Sequence, residues 1–229
     1  MFRYRTEERR ERPRTHDSGG GDNLALDGDG TYEVTVEVGR VSARRTGAFA
    51  DRLDETATAT FSLPFEESTM DDISYERLPD KQGSPGAVGP MAMGDVPVAE
   101  APAADALPGT PLGEGTSGDA RFVATRMGTP PTGLGDGTAY LAVSPRTPYN
   151  RYPLPFMSLS ATVTRDGSPV FDGTLSPTLD PDLGYHYGAA ADVRAGDDVA
   201  LSVGTPPQLA RHEGYETAFF SFPDLTLSE

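Results

Sequence analysis

Three histidines occur in the chain, and two of them stand in polar settings that suit metal chemistry. His186 lies in GYHYG, six residues after Asp180 and four after Asp182, and His212 lies in ARHEG with Glu213 directly behind it. A neutral imidazole nitrogen is the commonest side-chain ligand for first-row metals, and carboxylates complete such a sphere. A set made of His186, His212, Asp182 and Glu213 would suit a divalent transition metal such as Cu, Fe, Mn or Zn. The competing reading makes both histidines loop residues bonded to backbone. Met91 and Met93 in GPMAMG would offer thioethers to Cu(I) or be plain linker. Arg146, Tyr149, Asn150, Arg151 and Tyr152 form a polar, aromatic stretch that would take an anionic or sugar ligand, or pack tyrosines at the end of a sandwich. His16, the third histidine, sits in an arginine-rich leader. No nucleophile elbow, phosphate loop, zinc-protease helix or dinucleotide fingerprint occurs, so the expectation is a protein that is not an enzyme.

The elements that must position these residues read as short strands. Alternating apolar segments at 120–127, 138–144, 156–165, 169–175, 186–193, 197–204 and 217–227 are separated by turn residues. Asp166-Gly167 between the third and fourth is a hairpin signal. Seven such strands in some 110 residues predict an all-β, immunoglobulin-like β-sandwich over 119–229, with His186 opening a strand and His212 in the loop before the last one. A small barrel is the alternative. Ahead of it, 66–118 reads as a Pro/Gly-rich linker with one short helix near 68–78. Strands are expected at 31–38 and 56–63, and residues 1–20 as a basic, disordered leader.

Those two early strands belong to a repeat. GDGTYEVTVEVG (28–39) stands over AGDDVALSVG (195–204), Ala43-Arg44-Arg45 over Ala210-Arg211-His212, Gly47 over Gly214, and Glu55-Thr56-Ala57 over Glu216-Thr217-Ala218. Residues 21–65 are therefore expected to be the C-terminal part of a first sandwich copy, in a chain that looks N-terminally truncated. Arg45 occupies the place of His212, so metal chemistry is expected only in the second copy. The inner face of the early hairpin (Val34, Val36, Val38, Ala57, Ala59, Phe61) would then need a covering partner.

Charge narrows the partners. The net charge is −16, and there is no cysteine. Disulfides and thiolate metal sites are excluded. A polyanion needs a basic face, so no nucleic acid is expected. No run approaches the ~20 apolar residues of a membrane span. Lys81 is the only lysine, and acid spread along a lysine-poor chain reads as a halophilic surface.

The order LPFMSLSATVTRDG…TLDPDLGYHYGAA…DDVALSVGTPPQLARHEG resembles the periplasmic ferrous-iron transport proteins that accompany iron permeases, a family that includes a metal-binding lipoprotein. The resemblance rests on Pro155 with Leu159, His186-Tyr187-Gly188, Pro206-Pro207 and Arg211-His212. TPYNRYPLPFMSLSATVTRDG and the double-domain layout are similar to haloarchaeal proteins called iron transporters. The resemblance implies an immunoglobulin-type fold, an extracytoplasmic or cell-surface location, an iron permease as partner and a homodimer. It also implies metal ligation at His186 and His212. A family methionine falls near Thr178-Leu179, the family aspartate sits one place from Asp182, and an early-strand histidine has no counterpart. The function this implies is a non-catalytic metal-binding or iron-uptake accessory protein; the alternative is a structural or adhesive sandwich without ligand.

Overall fold

The computed structural model describes residues 2–7, 14–16, 28–52, 54–70, 79–81, 99–134, 139–208 and 218–227. The chain divides into two compact units, one of residues 1–42 and 52–78 and the other of 43–51 and 79–229. In the first unit, β1 (Phe2–Glu7), β2 (Arg14–His16), β3 (Gly30–Val38) and β5 (Ala57–Phe65) form an antiparallel sheet in the order β2-β1-β3-β5. The expected disordered leader thus contains two strands. Phe2, Tyr4 and Thr6 alternate with charged residues, a period-two signal, and the register sets Arg3 opposite Glu37. Tyr32 and Val34 are buried, whereas Val38 and Phe61 stay exposed. Of the helix expected near 68–78, the described part is α1 (Glu67–Met70), and residues 71–78 lie outside the described residues.

In the second unit, β4 (Arg44–Arg45), β6 (Thr110–Ser117), β7 (Ala120–Met127), β8 (Tyr140–Arg146), β9 (Ser158–Arg165), β10 (Ser168–Asp180), β11 (Gly184–Ala190), β12 (Asp198–Thr205) and β13 (Leu225–Leu227) make one continuous hydrogen-bonded system. Its order is β13-β12-β9-β10-β11-β8-β7-β6, with β4 paired to β10. β10 is the strand that joins the layers: residues 168–175 pair with β9 and residues 176–180 with β11. A strand that switches sheets in this way folds a ladder into a sandwich. Leu141, Val143 and Tyr187 from one layer meet Leu159, Val163, Val199 and Leu201 from the other in a fully buried core. The ends of the ladder also approach, since a Cβ on Gly115 would lie 3.0 Å from Leu225.

The expected all-β sandwich is present, with three differences in extent. Thr110–Ser117, expected as linker, is strand β6: pairing with β7 and burial of Leu112 override its poor strand composition, and the register shifts at Pro111. β10 is longer than the alternation over 169–175 suggested, because it serves both layers. The last strand shrinks to Leu225–Leu227, with Phe219 buried at positive φ (68°) in irregular chain before it. The Asp166-Gly167 hairpin turn has positive φ at both residues (50° and 76°), as the dipeptide requires. The two hairpins of the expected repeat differ in register: Val34 faces Phe61, but Val199 faces Leu227.

Candidate functional site

The outward side of the β8–β11–β10 layer carries the titratable groups. Tyr140 and Ala142 lie on that side of β8 and form, with Leu183, a small apolar cluster separate from the main core. On β11, His186 is paired with Thr178 of β10, and Thr178 is paired on its other side with Arg44 of β4. Neighbouring strands thus line up Arg44, Thr178 and His186 in one cross-strand row.

His186 is 1% exposed. Its Nδ1 lies 3.0 Å from the Gly184 carbonyl oxygen and its Nε2 lies 3.0 Å from the Tyr140 hydroxyl. A carbonyl only accepts, so Nδ1 carries the proton, and in the neutral ring Nε2 is the acceptor to which Tyr140 donates. Burial pushes the imidazole below its ordinary value and favours the neutral ring, and the Gly184 hydrogen bond and the Asp180 charge oppose it. Burial likewise pushes Tyr140 up to about 12, against a hydrogen bond from Thr178. The two rings meet edge to face at 5.8 Å. This crossing requires Gly188, because a Cβ there would lie 2.1 Å from the Tyr140 hydroxyl oxygen.

Asp180 closes the row. Its Oδ1 accepts from the backbone N–H groups of Asp182 (2.9 Å) and Leu183 (3.0 Å), and its Oδ2 accepts from Thr46 Oγ1 (2.6 Å). Burial alone would raise this carboxyl, but the bonds from Thr46, Leu183 and Asp182, with a contribution from His186, hold it below the usual carboxylate range. Thr46 reaches it because β4 runs parallel to the end of β10 and Thr46 N donates to the Leu179 carbonyl.

Of the four residues singled out as metal ligands, the structure places two. His186 is buried in the row, and Asp182 is exposed at the surface with only its backbone N–H turned to the cluster. His212 and Glu213 lie outside the described residues, as do Met91 and Met93. Among the described residues no three His, Cys, Asp or Glu side chains are grouped as a metal cluster would need. His186 supplies one suitable nitrogen, already engaged by Tyr140, and both Asp180 oxygens are committed. A metal fits this arrangement only if Tyr140 turns away and ligands come from beyond the described residues. Sequence reasoning chose Asp182 over Asp180 and missed Tyr140 and Thr46. The one available signal for Tyr140 was Gly188, a small residue that leaves room for a large neighbour.

Residues 105–228 match the model of DUF7350, a domain of unknown function. The chain belongs to the DUF7350 family. No curated protein sequence matches it. Among solved structures, the chain is similar to FetP of uropathogenic Escherichia coli strain F11, as isolated after periplasmic expression, at 19% identity over 51% of this chain and 91% of that one, with a TM-score of 0.41. It is also similar to a copper-bound variant of FetP, at 18% identity over 52% and 93% of the two chains and a TM-score of 0.41. No site residue of the DUF7350 domain is carried over from either. Among the described residues no helix is long and apolar enough to cross a membrane.

Proposed function

We propose that the chain is a non-catalytic metal-binding accessory protein of the cell surface, working beside an iron permease, with His186 as a ligand to a divalent transition metal. One observation carries the reading: His186 donates its Nδ1 proton to the Gly184 carbonyl, which leaves Nε2 as the lone-pair nitrogen. Metal-ligating histidines are oriented in this way, by a backbone carbonyl or carboxylate on the second nitrogen. His212 and Glu213 would complete the site from the ARHEG loop, and a second copy of the chain is the expected partner in a homodimer.

A structural sandwich without ligand is the second reading. It is favoured by the hydrogen bond that already engages Nε2. Titration of Cu(II), Mn(II) and Fe(II) into the full chain, with elemental analysis after dialysis, separates the two. The metal reading expects stoichiometric uptake that is lost in His186→Ala and in His212→Ala while both variants keep their far-UV spectrum. No retained metal with any of the three ions establishes the structural reading instead.

A further inference from the structure

Among the described residues the second unit holds a fully buried arginine, Arg146, and a half-buried one, Arg165, and their partners differ. Arg165 places Nε 2.9 Å from one oxygen of Asp197 and Nη2 2.8 Å from the other, a fork on a carboxylate. Arg146 is 2% exposed, yet those same two nitrogens, Nε and Nη2, are buried without a hydrogen-bond partner among the described residues. Among the described residues only its Nη1 is engaged, donating to the Pro102 carbonyl. Two residues earlier on the same side of β8, Ser144 is 2% exposed and its Oγ is also without a partner. A buried guanidinium without a counter-charge is costly, and so is an unmet buried donor.

Nearby acids do not fill the gap. Arg121 lies opposite Arg146 in the β7–β8 register and is paired with Glu114. Arg151 is paired with Glu100 at 2.7 Å. Among the described residues, three guanidinium groups therefore share two carboxylates, both already taken. The charge around Arg146 is positive on balance: burial and the neighbouring Arg121 and Arg151 lower its pKa to about 10. Arg151 also binds the covering segment, giving Nε–H to the Ala101 carbonyl (3.2 Å) and accepting from Ala101 N (2.8 Å). It does so at a φ of 53°, a conformation a non-glycine residue holds only where its surroundings impose it.

We propose that Arg146 is an oxyanion-binding residue: its free Nε and Nη2 pair takes two oxygens of one oxyanion, Ser144 Oγ–H donates to the same group, and residues 100–102 close over it. The Nε/Nη2 edge is the one that matches carboxylate and phosphate geometry, and Asp197 on Arg165 shows the match within this chain. The site lies on β8 and uses none of the metal-ligand residues.

The test is the melting temperature of the full chain titrated with sulfate, phosphate, acetate or malonate at fixed ionic strength, with chloride as the balancing salt. A saturable rise for at least one oxyanion is expected, with no rise in Arg146→Met, whose anion-free melting temperature should equal or exceed that of the unaltered chain. A response confined to sulfate and phosphate identifies a free tetrahedral oxyanion, and one confined to acetate and malonate identifies a carboxylate ligand. If Arg146→Met fails to fold, Ser144→Ala decides, with an expected loss of about fivefold in apparent affinity for one hydrogen bond. No response to any of the four, an equal response in Arg146→Met, or unchanged affinity in Ser144→Ala overturns the proposal.

Discussion

Replacing Tyr140 by Phe removes one oxygen atom from the site and separates stability from metal affinity. The hydroxyl sits 3.0 Å from His186 Nε2, and both residues are 1% exposed, so no water takes its place without rearrangement. Loss of the bond leaves a buried acceptor unmet, a cost of about 1–3 kcal/mol. For a domain of this size each kcal/mol moves the melting temperature by roughly 2–4 °C, so the variant should melt roughly 2–12 °C lower. Metal affinity should move the other way. An ion that reaches Nε2 in the unaltered chain must displace the Tyr140 hydroxyl, and removing that competitor tightens binding by about fivefold. Thermal melts by circular dichroism and calorimetric titration with Cu(II) read the two quantities on one preparation. An unchanged melting temperature would refute the buried bond. A loss of Cu(II) affinity would refute the idea that Tyr140 competes with the metal and would make its hydroxyl a ligand.

Gly188→Ala should cost about 1–3 kcal/mol as an overpacked site, because its Cβ would meet the Tyr140 hydroxyl oxygen at 2.1 Å; urea melts should show a lower midpoint with an unchanged slope. Acid should weaken the second unit through Asp197. Its hydrogen bond from Arg165 holds the folded-state carboxyl below its ordinary 3.8. The stability it contributes is therefore complete above that value and is lost as pH falls through the depressed one. Melts between pH 7 and 2 should show Asp197→Asn starting lower at neutral pH and losing less on acidification.

Much of the sandwich could be read from the chain because several of its strands are half-buried and alternate. Ser158–Arg165 buries Leu159, Ala161 and Val163 and leaves the residues between them partly exposed, and Asp166-Gly167 fixes a turn by backbone chemistry alone. Thr110–Ser117 could not be read in this way, since its strand character comes from the pairing offered by β7 and not from its own composition. The site was legible at His186, a residue type that draws attention wherever it stands. It was not legible at Thr46, whose contact with Asp180 spans 134 residues; Arg146 stood out only as one of a polar stretch that would take an anionic or sugar ligand, and the partner that its Nε and Nη2 lack among the described residues could not be read. Spacing along a chain carries neither kind of information.

The contact of Thr46 with Asp180 also sets an order of events during synthesis. Residues 43–51 belong to the unit otherwise formed by 79–229, so the edge that covers the end of β10 emerges first and must wait for the strand it covers. At ~5–20 residues per second the interval is roughly 7–27 s, long enough for the free segment to try other pairings. The reverse exposure holds for any fragment that starts at residue 79. There β10 would present unpaired backbone groups at Thr178 and Leu179 to the next molecule, a template for strand addition. Two residues of β4 thus act as a cap against self-association, and a fragment lacking them should aggregate where the full chain does not.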